Sequence, residues 1–453
     1  AILFGRHSFG EIVQATAADT MPPLYYWLLH LWTPDGSVFM ARMLNVLFST
    51  LTLAVFYALA RRLAGQWQAE AASALSTRSP LLVFYGHYAR MYALLTLCGM
   101  VAAYAFVRWL RTDRTRDLAV FTVAATAAMW THNLAALLIG ALGLAFLLGR
   151  DEWPGSSFGR RLRALTVALA VVALAYAPWL VYLPGQLEKV TTAFWINRPG
   201  PAELLRTVVM WHFNLPLPAG VLPLLAFVAL ALAAVTGIET VRRWRVAATR
   251  VRQQILVAAA LTLAPVGMMF VVSMLRPVYV ERAVLMSAFA YYLLLVGALA
   301  HLRVRALAFG LVGALWAGLL LGLVYQERYD SFPRSPYLPA ATLLRQTLQP
   351  GDLVLHDNKL SFFPMHYLAP DLPQRYLPDL PGTANDTLAP GTTAVLGLPP
   401  GTPGPAAGRG RRRRPLVRGL RPRAGAGGGG RRTPPVPHLA RPAPDPGRRT
   451  AGG

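Results

Sequence analysis

The chain is poor in the residues that soluble enzymes use to build reactive or metal-bound centres. It has one cysteine in 453 residues, which excludes a disulfide framework and any cysteine-based metal site. That residue, Cys98, lies inside an apolar run, where a free thiol acts as a small packing residue. Lysine is nearly absent, only Lys189 and Lys359, so the positive charge is almost all arginine. Charged residues make up 14% of the chain and hydrophobic ones 55%, too few and too many for a soluble protein of this length. No HExxH, Walker loop or nucleophile elbow occurs, nor any metal-ligand spacing. No cofactor is expected, although a divalent ion is not ruled out by sequence.

What the chain has instead is apolar runs of about 17–25 residues, the length that crosses a bilayer core. Ten spans are expected, near 40–61, 67–85, 90–110, 117–130, 134–149, 164–183, 219–238, 254–275, 283–301 and 306–325. The second carries Ser76, Thr77 and Arg78 and the fourth is short, so both are expected to face protein rather than lipid. The fold class is therefore an all-α polytopic membrane protein with about ten transmembrane helices. Alternate loops differ in charge. Seventeen arginines, from Arg61 and Arg62 to Arg303 and Arg305, fall on one side, against eight cations on the other. The positive-inside rule makes the first side cytoplasmic, which sends 1–39, 86–90, 131–133, 184–217, 276–282 and everything after 325 outward.

The net charge of +24 suggests nucleic acid, but thirteen arginines lie beyond residue 400 in a stretch of Gly, Pro and Ala, and most others orient the spans. Nucleic acid is not an expected partner. Residues 401–453 cannot bury a core and read as a disordered tail, with a composition that an out-of-frame end of a GC-rich gene would give. Before it, 351–356 reads as a turn and buried strand, 360–368 as a helix and 374–377 as a second strand. This is an incomplete small α/β extracytoplasmic segment within 326–400. The divisions expected are 1–39, a first outward loop with an interfacial helix; 40–325, the membrane domain; 326–400; and 401–453. The start at Ala1 without a methionine suggests a truncated N-terminus.

The outward set holds Asp19, His30, His87, Arg90, His132, Glu188, Lys189, His212, Glu281 and Arg282. Asp19 precedes Pro22-Pro23 and the aromatic run Tyr25-Tyr26-Trp27, whose rings suit the membrane boundary. A carboxylate there is a candidate for chemistry at the membrane face, or simply the N-cap of an interfacial helix. Arg90 and Arg282 open the third and ninth spans at headgroup depth. Each could hold phosphate oxygens through its guanidinium fork, snorkel to the interface, or, for Arg282, be neutralised by Glu281. Glu188 and Lys189 read as a surface pair, and His132, in a tight turn between spans, as a structural histidine.

The motifs DTMPPLYYWLLHLW, SPLLVFYGHYARMYALL, MWTHNLAALLIG, FWINRP and RPVYVERAVLMSAFAYYLLL, in that order over about residues 1–370, resemble the GT-C class of polytopic membrane glycosyltransferases. The similarity is to the bacterial branch that includes protein mannosyltransferases and the lipid A aminoarabinose transferase. It implies an enzyme that moves a sugar from a polyprenyl-phosphate-linked donor to a lipid, glycan or protein acceptor at the outer face. It implies Asp19 as the catalytic acid residue, Arg90 and Arg282 as donor-phosphate ligands, and Tyr92 and His132 as residues shaping the site. The family's principal acidic pair would fall before Ala1, and Tyr88 stands where an acid usually precedes Ala-Arg. These departures put the proton acceptor in doubt. A catalytically inactive relative that binds lipid-linked sugar stays open, as does a transporter or lipid flippase.

Overall fold

The computed structural model describes residues 2–150, 157–192, 196, 198–328, 336–378 and 390–397. The expected tail at 401–453 and half of FWINRP lie outside them, as does the side chain of Lys189. The chain enters through three short helices, α1 (Ile2–Gly5), α2 (Phe9–Ala18) and α3 (Leu24–Trp32). Ser8 and Glu11 form a capping box that starts α2, so two orphan amides are satisfied reciprocally. Asp19 is not the N-cap of α3, as one reading of the sequence had it. Pro23 holds that place without a side-chain bond, and Asp19 is the residue that ends α2, its N–H bonded to Ala15.

The membrane domain follows: α4 (Val38–Ala64), α5 (Gln66–Arg78), α6 (Pro80–His87), α7 (Tyr92–Thr112), α8 (Thr115–Thr131), α9 (Ala135–Leu148), α10 (Phe158–Leu180), α11 (Leu183–Thr192), α12 (Pro201–Phe213), α13 (Leu222–Val246), α14 (Thr249–Leu275), a 3-10 turn at Glu281–Val284, α15 (Leu285–His301) and α16 (Arg305–Arg328). Among the described residues, seven of these segments are long and apolar enough to cross a bilayer: α4, α7, α10, α13, α14, the turn with α15, and α16. The protein is a polytopic helical membrane protein. The other three expected spans fall on shorter helices. The second is broken into α5 and α6 because Pro80 has no amide to continue the ladder and Ser79 caps the new helix at Leu82.

Only part of those segments faces protein. Ser76 is buried, but Thr77 and Arg78 are exposed, and Val123 on α8 is 70% exposed. Arg78 lies over the Trp316 ring at 5.5 Å, where the break in the helix lets it leave the apolar surface. The core is organised around α7 and α15, which are buried over 72% and 78% of their apolar windows, against 28% for α10, α13 and α16. α7 touches α4, α8, α9 and α15. Gly99 allows this, since a Cβ there would come within 2.5 Å of Leu138 and 3.1 Å of Met286.

After α16 come α17 (Tyr337–Thr347), β1 (Val354–His356), α18 (Lys359–Leu368), β2 (Gln374–Tyr376) and α19 (Pro390–Val395). The two strands pair in parallel, with Val354 opposite Gln374 and His356 opposite Tyr376, and α18 makes the crossover that parallel pairing needs. This α/β segment bears on the first helices. The Tyr367 hydroxyl donates to the Gly36 carbonyl at 2.7 Å, the Thr392 hydroxyl to the Ala15 carbonyl at 3.0 Å, and Arg6 lies over the Tyr367 ring.

α16 packs on α12 through glycine. A Cβ at Gly322 would sit 2.5 Å from the Phe213 carbonyl oxygen and 2.9 Å from Pro80, a backbone contact that cannot rotate away. Gly322→Ala should therefore destabilise by about 1–3 kcal/mol through overpacking, despite alanine's better helix propensity. Thermal unfolding in detergent checks this; an unchanged or higher midpoint would refute the close approach.

Candidate active site

Three turns meet at one end of α7 and bring four of the expected side chains. Arg90 lies in the bend between α6 and α7, Tyr92 opens α7, His132 lies between α8 and α9, and Arg282 lies in the 3-10 turn before α15. Asp19 comes from the end of α2. The bend carrying Arg90 interrupts the backbone ladder, so carbonyls are left that need donors. Asn45, wholly buried on α4, supplies them: its Nδ2 donates to the carbonyl of Arg90 at 2.9 Å and to that of Tyr88. Sequence reading missed Asn45, although an amide inside an apolar span was a visible signal.

Arg90 does not snorkel. It is half-buried, its Nη2 reaches only the Met21 sulfur at 3.5 Å, and its Nε is buried with no hydrogen-bond partner. Burial works against its charge, and the surrounding phenols of Tyr26, Tyr92 and Tyr88, with the Asp19 carboxylate, outweigh this and raise its pKa. The Arg282 Nε donates to the Tyr92 hydroxyl at 2.7 Å, and its guanidinium lies 5.7 Å over the Tyr92 ring. Glu281 does not neutralise Arg282 by pairing with it; its carboxylate binds Arg206 at 3.0 Å. Tyr92 thus has Arg282 bonded to its hydroxyl and Arg90 nearby.

His132 completes the cluster. Its Nδ1 accepts the Leu134 backbone N–H at 3.1 Å, which leaves the proton of the neutral ring on Nε2. Burial, then the charges of Arg282 and Arg90, push its pKa down to about 3. The structural role expected for His132 is present, and its ring lies among the two arginines as well. Tyr26, buried beside Arg90 and Asp19, has its pKa pushed up to about 12 by burial and stays a neutral phenol. The cluster is a set of donors arranged around positive charge, which suits a phosphate.

Asp19 is held by a separate network. Gln186 on α11 is buried, and its Nε2 donates to the carbonyls of Thr16 at 3.2 Å and Ala17 at 3.4 Å. These are carbonyls at the end of α2, which an α-helix leaves unpaired. The Gln186 Oε1 accepts from Asn133 Nδ2 at 3.1 Å, and the same Nδ2 donates to the Thr20 carbonyl at 3.2 Å. The carbonyls on both sides of Asp19 are therefore fixed by one pair of amides.

The other candidates lie apart from this cluster. His30 bonds the Gly5 carbonyl, His87 the Val83 carbonyl, and His212 the Val208 carbonyl and the Tyr291 hydroxyl. Next to the cluster, α7, α9, α14 and α15 leave only a narrow apolar crevice of about 20 Å³, lined by Leu95, Leu138, Pro265, Val284 and other residues. Among the described residues no group of three or more His, Cys, Asp or Glu side chains is placed to hold a metal ion.

Residues 20–182 match the family described as dolichyl-phosphate-mannose-protein mannosyltransferase. The fold is similar to the crystal structure of ArnT from Cupriavidus metallidurans in the apo state. That match has a TM-score of 0.56 at 14% identity over 84% of this chain and 79% of that one. Residues 20–182 thus resemble that family, and the chain has the fold of a polytopic membrane protein similar to ArnT. ArnT bound to undecaprenyl phosphate is similar to this chain as well, with a TM-score of 0.54 at 15% identity and the same coverage. No curated protein matches it. Arg90, Tyr92 and His132 lie within the family match, Asp19 just before it and Arg282 beyond it.

The buried neutral His132 has a consequence for acid stability. An unfolded histidine, with its ordinary pKa of 6.5, takes up a proton below that value, whereas His132 stays neutral to about pH 3. The unfolded chain binds more protons across that window, so stability falls on acidification, by about 1.4 kcal/mol per pH unit for one such group. His132→Gln should flatten the loss of unfolding midpoint between pH 7 and 5. His212, with its pKa pushed down to about 4 by burial, keeps part of the slope. An identical slope in the variant would contradict the placement of His132.

Proposed function

We propose that the protein transfers a sugar from a polyprenyl-phosphate donor to a hydroxyl of a lipid, glycan or protein acceptor at the extracytoplasmic face. It is a hexosyltransferase-type enzyme on this reading, with 40–325 as the membrane domain and with 1–39 and the C-terminus outside. The observation that carries the reading is the Arg90 guanidinium, whose buried Nε has no partner, beside Arg282 and a neutral His132. Two arginines held together want an anion, and a lipid-linked phosphate is one that their guanidinium forks match. The undecaprenyl phosphate bound to the similar ArnT supports the same donor chemistry.

In the reaction, the acceptor oxygen attacks the anomeric carbon while the bond from that carbon to the phosphate oxygen breaks. Arg90 and Arg282 stabilise the charge that grows on the departing phosphate, and Tyr92 sets the direction of Arg282. Asp19 takes the acceptor proton as general base. A second reading has one observation in its favour. Tyr88 packs its charge-free ring near Arg90, where the family resemblance leads one to expect an acid. A catalytically inactive binder of lipid-linked sugar would have this feature.

Asp19→Asn should lower kcat by about 10²–10⁴ with donor affinity kept, the range for a lost general base. Arg90→Ala and Arg282→Ala should each weaken donor binding and transfer together. Steady-state transfer from a polyprenyl-phosphate sugar, with a parallel donor-binding assay, measures both. Donor affinity unchanged in the arginine variants would sink the phosphate assignment. Binding without any transfer by the parent protein would favour the inactive relative.

A further inference from the structure

The opposite end of the membrane domain carries a second cationic cluster, for which sugar transfer has no use. Asn45 on α4 bonds the Arg90 bend, and Arg62 follows on the same helix about 25 Å further along its axis, at the other membrane boundary. Arg62, Arg108, Arg111 and Arg250 converge there from α4, α7 and α14. The Tyr104 ring lies between two of them, with the Arg62 guanidinium 5.2 Å and the Arg108 guanidinium 5.7 Å from its centre. Arg62 also donates to the Tyr104 hydroxyl at 3.4 Å.

These side chains are held in place. Arg111 Nη2 donates to the Arg62 carbonyl at 2.8 Å, and Gln254 Nε2 donates to the same oxygen at 3.2 Å. One backbone acceptor thus ties the ends of α4 and α7 to the start of α14. Arg62 and Arg250 are the like charges that bear on Arg111. Against four arginines stands one carboxylate, the buried Asp117, which Arg108 binds at 3.2 Å. Among the described residues no carboxylate lies within 4.0 Å of Arg62, Arg111 or Arg250. Orienting the spans needs only dispersed cations in loops, such as the exposed Arg114, Arg163 and Arg303. It does not need guanidiniums bonded into position around a phenol, with repulsion left uncompensated.

We propose that this cluster binds the phosphodiester headgroup of an anionic phospholipid, seated by Arg62, Arg111 and Arg250. Guanidinium forks match the two unesterified oxygens of a phosphodiester. The cluster lies between helix ends at a membrane boundary, where basic pockets take lipid headgroups. A zwitterionic headgroup would bring its own cation into the same space and be disfavoured.

The test is native mass spectrometry of the full chain, delipidated and re-exposed to phosphatidylglycerol or phosphatidylcholine. The protein should retain phosphatidylglycerol selectively. Arg62→Gln/Arg111→Gln/Arg250→Gln should weaken that retention by about two orders of magnitude, each arginine near a membrane surface giving about fivefold. Arg114→Gln/Arg163→Gln/Arg303→Gln removes the same charge and should retain the lipid. Equal loss in both triple variants, or none in the first, would overturn the site. Release by a chase with inorganic phosphate would overturn it too, by making it a site for small anions. Should the first triple variant fail to fold, Arg250→Gln alone, exposed on the first turn of α14, should give the fivefold loss; full retention by it would count against the proposal.

Discussion

The arrangement at the head of α7 rests on two arginines kept close together. Arg90 and Arg282 act on each other as like charges, and Glu281, the acid next to Arg282 in sequence, is drawn off by Arg206. Such a pair repels unless something polar lies around it, and here phenols do so. Tyr92 accepts from Arg282, while Tyr26, Tyr88 and Tyr92 surround Arg90. Phenols soften the repulsion without cancelling the charge, so the field is left for a ligand. The turns that bring these residues together must themselves be satisfied, which is why buried amides, Asn45 and the Asn133–Gln186 pair, lie just behind them.

The bilayer explains where those amides are needed. Backbone that leaves the helical ladder at membrane depth is tolerated only where protein satisfies it. The bend between α6 and α7 is such a place, and one asparagine on α4 meets two of its carbonyls. The end of α2, before the first membrane helix, is satisfied in a similar way by Gln186. The central helices α7 and α15 can then be buried nearly all round, with glycine at the tightest crossings, while α10, α13 and α16 keep an apolar face outward. α7 has guanidiniums near both ends, Arg282 bonded to the Tyr92 phenol at one and Arg111 to the Arg62 carbonyl at the other.

Much of this was legible in the chain. Apolar run length located seven of the ten expected spans on segments long enough to cross a bilayer, and the strand–helix–strand after α16 could be seen from its turn and apolar runs. Arg90, Tyr92, His132 and Arg282, each singled out in the sequence, lie close together in the structure. What sequence could not supply was partnership. Glu281 lies beside Arg282 in the chain, yet binds Arg206 from α12. Asp19 looked like the cap of the helix after it, but Pro23 took that place and Asp19 belongs to the end of α2. The break at Ser79 was hidden because an apolar run says nothing about continuity, although Ser79-Pro80 was the signal for it. Asn45 and Gln186 act through contacts 45 and 170 residues away in sequence, a distance at which no local pattern speaks.

The protonation states at the site narrow the chemistry further. Arg90 is held cationic, Tyr26 keeps its proton up to about pH 12, and His132 has its Nδ1 occupied by the Leu134 amide. Each of these can donate a hydrogen bond to a phosphate oxygen, and none is free to take a proton near neutral pH. Glu281 is committed to Arg206. A transfer that releases a proton from an acceptor hydroxyl must send it elsewhere, and the carboxylate whose charge reaches both Arg90 and Tyr26 is that of Asp19. On the proposed reaction, the donor set that makes the site hospitable to a leaving phosphate is thus the reason that a single acid has to serve as base. On that reading, the side chains that hold the phosphate and the one that takes the proton are different residues.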